Sequence, residues 1–167
     1  QENRMNYLAS LVWDRGTQAF ESGNFSRRHR IAFDGGQTIV ASSSPHVLPE
    51  PLSDASGIDP EELLVAALSS CHMLWFLVIA ARKKFRVDRY LDSAAGSMAD
   101  IGDGRIAMAE VVLRPAVTFS GSRLPSAEEF LAMHHQAHER CFIANSVKTA
   151  VLCQPTFEVA AANGGPG

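Results

Sequence analysis

At 167 residues, 46% hydrophobic, 20% charged and with a formal net charge of −3, the chain has the make-up of a single soluble globular domain long enough to bury a core. The slightly acidic balance excludes the basic footprint of a nucleic-acid binder. Three cysteines, an odd number without short framework spacing, argue against a secreted disulfide scaffold and for a reducing compartment such as the cytoplasm.

The opening residues, QENRMNYLAS, lack the apolar centre of a secretory signal, and Met5 is a candidate native start. The segment NFSRRHRIAF, the turn residues Asp34-Gly35-Gly36 and QTIVASS predict an N-terminal hairpin over about 24–42, because glycine supplies the positive φ of a tight turn. A Ser/Pro/Asp/Gly-rich loop covers 43–59.

A helix then starts at a well-marked point. Asp59 suits the N-cap, Pro60 the first helical position and Glu62 the reciprocal capping position. With no Gly or Pro before Gly96, the pattern predicts a central helix over about 60–84. It is apolar nearly all round, so it is expected to be buried on most sides. Its length approaches a membrane span, but Ser69, Ser70, Cys71 and His72 fall near its middle, which argues against one.

Extended patterns return after Lys84. A short strand is expected over Phe85–Leu91, then longer ones over Ser93–Asp100 and Arg105–Phe119, with Pro115 marking a bulge or an edge. Ser126 and Glu129 form a second capping box and open a second helix over about 126–141. Asn145 or Ser146 caps a further short helix, and Gln154–Ala161 reads as the last strand. There is no repeat and no domain boundary: residues 1–167 read as a single α+β domain, with sheets packed on two helices.

Three groups of residues can carry chemistry. Cys71 lies mid-helix beside serines and a histidine. Read alone it is better explained by core packing than by reactivity, since a reactive thiol needs a cation or helix N-terminus to favour its thiolate. The run Arg27-Arg28-His29-Arg30 offers such a cation. Cys141 stands seven residues after His134 and three after His138, on one face of a continuous helix. His134, His138 and Cys141 are therefore a candidate metal set, although no HExxH pattern accompanies them. Cys153 reads as core packing, and His134, His135 and His138 as helix-surface and packing residues.

GIDPEELLVAALSSC, the HxxAHxxC block ending at Cys141, and Ile143, Asn145 and Ser146 together resemble the OsmC/Ohr family, the osmotically inducible and organic hydroperoxide resistance proteins. FSRRHRIAFDGG resembles that family's first hairpin, and the likeness runs from about Phe25 to Val159. It implies an OsmC-like fold of antiparallel sheets around two central helices, in an intertwined homodimer. It implies a thiol-dependent peroxidase reducing organic hydroperoxides, and in some members hydrogen peroxide, with a dithiol as reductant and no metal or organic cofactor. The peroxidatic position falls on Cys71 and the resolving position on Cys141. The activating arginine falls on Arg27, with Arg28 as the alternative, and the glutamate that orients it falls on Glu61.

Residues His72, Met73, Leu74 and Trp75 are bulkier than in the organic-hydroperoxide branch and place the chain nearer the broad OsmC-like branch. Ten residues of straight helix cover about 15 Å and turn about 1,000°. Glu61 therefore reaches Cys71 only if the helix breaks between them, or else it serves the Cys71 of a partner chain. The alternatives are a non-enzymatic stress or small-ligand-binding protein of the same fold, and the metal-binding reading above.

Overall fold

The computed structural model describes residues 5–160. The chain packs as two compact units, residues 1–63 and 64–167, and the division falls inside a helix where no change of composition marks it.

In the first unit, strands β1 (Ala9–Val12), β2 (His29–Phe33) and β3 (Thr38–Ala41) form an antiparallel sheet in that order. The expected hairpin is β2–β3. Its turn closes through Gly36, at φ +85°, whose N–H donates to the Phe33 carbonyl at 3.0 Å. Strand β1, pairing Ala9 with Phe33 and Val12 with Arg30, was not apparent in the sequence. The 43–59 loop returns to β3 as the Ile58 N–H donates to the Val40 carbonyl and the Ser42 N–H to the Ile58 carbonyl.

Helix α1 spans Pro60–Arg82. Its start is the predicted capping box: the Glu62 N–H donates to Asp59 Oδ1 at 2.8 Å, and the Asp59 N–H to Glu62 Oε2 at 3.0 Å. It ends two residues before the expected point in a Schellman arrangement. Lys84 takes a left-handed conformation (φ +65°), its N–H donates to Ala81, and the N–H of buried Phe85 donates to Ala80. The helix is not buried on most sides. Leu68, His72, Phe76, Ile79 and Ala80 form one buried stripe, while Leu74 (57% exposed) and Val78 (41%) face outward. By length and hydropathy α1 would suit a membrane span, yet its mid-helix polar side chains have protein partners. Ser69 Oγ donates to Asp92 Oδ2 at 2.5 Å, and His72 meets His134.

The second unit carries two three-stranded sheets built in the same way. Strands β4 (Arg86–Asp92), β7 (Pro115–Ser120) and β9 (Thr156–Val159) form one, and β5 (Ala95–Asp100), β6 (Ile106–Leu113) and β8 (Ala150–Cys153) the other. In each the first pair is antiparallel, but β7–β9 and β6–β8 run parallel. The expected single strand Arg105–Phe119 is two strands in different sheets, and Pro115 marks neither an edge nor a bulge. It is buried as the first residue of central β7, a strand position that tolerates its missing N–H. The chain changes sheet at Arg114, whose N–H donates to Asp92 Oδ1 at 2.7 Å instead of joining a ladder. The expected last strand, Gln154–Ala161, is the shorter β9, and the β8 that precedes it was not expected; Ala161 lies outside the described residues.

Helix α2 (Ala127–Arg140) opens with the predicted Ser126/Glu129 capping box and is followed by a 3-10 turn at Ala144–Ser146. One core joins Phe76, Ile79 and Ala80 of α1, Phe130, Met133 and Ala137 of α2, and Val117 and Phe119 of β7. A second joins Leu68 to Val111 and Leu113 of β6, with Val151 and Cys153 of β8 against it. Both are aliphatic and aromatic side chains removed from water, the main favourable term in folding. The architecture is the α+β class expected: two helices and three small, mostly antiparallel sheets.

Candidate functional site

The second unit brings Cys71 and Cys141 together. Cys71 is half-buried in the fourth turn of α1, while Cys141 is 1% exposed. Both thiols are free, and Cys71 lies near enough to act on the Cys141 thiol. Cys141 is the C-cap of α2 (φ −66°, ψ 109°), where the helix ends, and its thiol neighbours Cys71 instead of joining His134 in a cluster.

The residues after Cys141 hold it there. The Ala144 N–H points at its Sγ at 3.4 Å, and the Asn145 N–H donates to its carbonyl at 3.0 Å. Asn145 Nδ2 caps the Glu139 carbonyl at 3.0 Å, and Ser146 Oγ donates to the Phe142 carbonyl at 2.7 Å. The Ile-x-Asn-Ser signature is thus a helix-end clamp that fixes a thiol. Burial pushes the Cys141 thiol up to about 11; the Ala144 N–H opposes the rise and the neighbouring Cys71 adds to it. Cys141 is consequently a protonated, enclosed thiol at neutral pH, and Cys71 is the more accessible member of the pair.

Arg27 and Glu61 come together in the first unit. With Trp13, Phe25, His29 and Ser43 they line a mostly apolar cavity of about 380 Å³. Arg27 Nη1 donates to the Gly23 carbonyl at 3.0 Å and to the Phe25 carbonyl, and its guanidinium lies 3.8 Å over the Phe25 ring. Glu61 is not among these partners, so the arginine is oriented by backbone and ring rather than by a carboxylate. Arg28 is engaged elsewhere, in an ion pair with Asp54. Of the two candidate arginines, Arg27 lines this cavity and Arg28 does not. Helix α1 runs unbroken through both Glu61 and Cys71, which removes the broken-helix route between them.

A third locus was missed in the sequence. His72 of α1, His134 of α2 and Cys153 of β8 converge inside the second unit. His72 Nε2 lies 2.9 Å from His134 Nδ1, and Cys153 Sγ lies 3.7 Å from each of those nitrogens. The rings are nearly coplanar, inclined by 7°, and His134 stacks on Phe76 at 4.2 Å. The metal set read from sequence, His134, His138 and Cys141, is not what the fold assembles: Cys141 turns to Cys71, and His134 turns to His72 and Cys153. His134 is also not a surface residue, at 3% exposed, whereas His135 makes an exposed i,i+4 pair with Glu139 at 3.2 Å. Cys153 is more than filler. Its place depends on β8, a four-residue strand with no signal of its own.

Burial lowers His72 to about 4, helped by His138 and opposed by Asp92, and lowers His134 to about 3, helped by His72. Burial and the Asp92 carboxylate push Cys153 up to about 12. Both imidazoles are therefore neutral and the thiol protonated.

A family model described as OsmC-like protein matches residues 53–155. Among solved structures, an OsmC-like protein of unknown function from Vibrio cholerae is 48% identical, with 91% of this chain and 99% of that one aligned at a TM-score of 0.89. An organic hydroperoxide resistance protein from Elizabethkingia anophelis shares the fold at 14% identity, over 96% and 100% of the two chains, with a TM-score of 0.65. The organic hydroperoxide resistance protein OhrB of Bacillus subtilis does so at 16% identity, over 92% and 98%, with a TM-score of 0.58. No curated protein sequence matches the chain.

Proposed function

The chain belongs to the OsmC-like protein family, and on that premise we propose that it is a thiol-dependent peroxidase that reduces organic hydroperoxides. The observation that carries this reading is the Cys71–Cys141 pair: two free, neighbouring thiols, one half-buried and one enclosed and protonated. The fold shared with two organic hydroperoxide resistance proteins supports the substrate class.

The asymmetry supports the following roles. Cys71, as thiolate, attacks the terminal peroxide oxygen; the O–O bond breaks, an alcohol leaves with one proton, and Cys71 becomes a sulfenic acid. Cys141 then attacks that sulfur, a disulfide forms and water departs. An external dithiol reduces the disulfide by exchange and restores both thiols. Such reductants are available in the cytoplasm, where this cycle is placed. The apolar cavity with Arg27 and Glu61 at its wall supplies what the first step needs, an apolar space and a fixed cation, and we assign Arg27 to stabilising the thiolate within a homodimer.

Cumene hydroperoxide at one equivalent per chain tests the reading. Two free thiols should be lost and recovered with dithiothreitol, and Cys71→Ser should lose none. Cys141→Ser should instead stop at a sulfenic acid that dimedone traps. No loss of thiols in the wild-type chain overturns the proposal and leaves a small-ligand-binding protein of the same fold.

A further inference from the structure

The peroxidase cycle uses Cys71 and Cys141 and leaves the His72–His134–Cys153 cluster without a task. A packed core does not need it. His72 Nδ1 and His134 Nε2 are both buried without a hydrogen-bond partner, and Phe or Leu would fill the same space without that cost. Three donors from three separate elements converge on one point, their ligand atoms all within 4.8 Å of one another. From this geometry we infer that His72 Nε2, His134 Nδ1 and Cys153 Sγ form a binding site for a borderline-soft divalent cation of the Zn2+ type.

The distances fit that class. A tetrahedral cation with bonds of about 2.05 Å to nitrogen and about 2.3 Å to sulfur separates two nitrogens by about 3.3 Å and a nitrogen from a sulfur by about 3.6 Å. The observed separations are 2.9 Å between the nitrogens and 3.7 Å from each to the sulfur. The histidine pair must open by about 0.4 Å and each ring must turn toward the ion, exchanging the mutual hydrogen bond for two bonds to the cation. Two imidazoles and one thiolate are the ligand types that select Zn2+ over Mg2+ or Ca2+, which prefer oxygen.

The charge balance is simple. The cation enters as M2+, Cys153 loses its thiol proton to solvent, and a site of net charge +1 remains. The Asp92 carboxylate lies close enough to act electrostatically on both His72 and Cys153, and it favours that positive charge. A cleft of about 270 Å³, lined by Leu131, His134, His138, Val151, Cys153 and Pro155, leads to the cluster. It gives the ion a route in and leaves a fourth position for water or His138.

Cobalt is the probe, since a thiolate–Co2+ bond gives a near-ultraviolet charge-transfer band and a tetrahedral site gives strong visible bands. The full chain, reduced and freed of metal with a chelator, is titrated with Co2+ and then with Zn2+. One Co2+ per chain with both bands, displaced by Zn2+, is expected. Cys153→Ser should lose the charge-transfer band, while Cys71→Ser keeps it. Absence of the bands in the wild-type chain, their survival in Cys153→Ser or their loss in Cys71→Ser overturns the inference. If Cys153→Ser fails to fold, X-ray absorption of the Zn2+-loaded wild-type chain decides. One sulfur and at least two imidazoles support the site; two sulfurs place the ion on Cys71 and Cys141 and reject it.

Discussion

Cys71 and Cys141 differ in access and in the protonation of Cys141, and that difference has a kinetic consequence. Iodoacetamide at neutral pH should modify Cys71 at least about tenfold faster than Cys141, which is enclosed and holds its proton up to about 11. Mass spectrometry of partially alkylated protein measures the ratio, and equal rates would contradict the assigned roles. The buried histidines predict a pH dependence of stability in the metal-free protein. Unfolded, each takes up a proton near pH 6.5; folded, His72 waits until about 4 and His134 until about 3. The unfolded state thus binds more protons between these limits, so stability is full above about pH 7 and falls as pH drops, by up to about 1.4 kcal/mol per pH unit per histidine. Cys141 and Cys153 give the opposite limb. Their folded values are raised from 9.0 to about 11 and about 12, so stability is present below pH 9 and is lost as pH rises beyond it. Urea unfolding from pH 4 to 10 with a chelator present should show this dome, and His72→Phe should flatten its acid side. Cys71 and Cys141 were legible because each sits in a distinctive run of neighbours. Cys153 was not, because its partners are 81 and 19 positions away and only the fold brings them near.

At the scale of elements, what was legible is what is local. Both capping boxes were readable because N-cap and third residue satisfy each other within one turn, and both formed as read. Asp59→Ala should cost about 1 kcal/mol in chemical denaturation. The other end of α1 offers a gain. Lys84 holds a left-handed conformation that glycine adopts without strain, so Lys84→Gly should raise stability by about 0.5–1 kcal/mol if the Schellman bonds persist. The unread features are those that tertiary structure decides. Strands β1 and β8 are four residues each, too short for an alternating pattern to stand out. The sheet change at Arg114–Pro115 looks in sequence like a flaw in one long strand. It becomes a boundary because Asp92, from another strand, takes the Arg114 N–H. Gly96 is set by the same kind of contact: a Cβ there would lie 2.8 Å from Val65 Cγ2 of α1, so Gly96→Ala should destabilise by about 1–2 kcal/mol.

The whole molecule leaves an outward stripe on its central helix that a single chain does not cover. Leu74 and Val78 are exposed on α1, and Leu11 and Val12 of β1 are at least half exposed. Apolar surface of this kind calls for a covering partner, and a second copy of the chain is the occupant consistent with the dimer implied by the family resemblance. Sedimentation should give twice the chain mass, and Leu74→Asp should shift it toward one. The residues proposed for catalysis give a sharper form of the same argument. Glu61 and Cys71 share one unbroken helix, so a glutamate acting on its own chain's cysteine is excluded by helical rise alone. If Glu61 takes part, it does so on the partner's Cys71. Glu61→Ala and Cys71→Ser chains, each inactive alone, should then recover activity when unfolded together and refolded as a mixture. Half of such dimers pair one chain of each kind, and each of these holds one site with both groups intact and one with neither, so about one quarter of wild-type activity is expected. A mixture that stays inactive while the wild-type dimer refolds fully would mean that Glu61 supports its own chain and acts by holding the Arg27 cavity in shape.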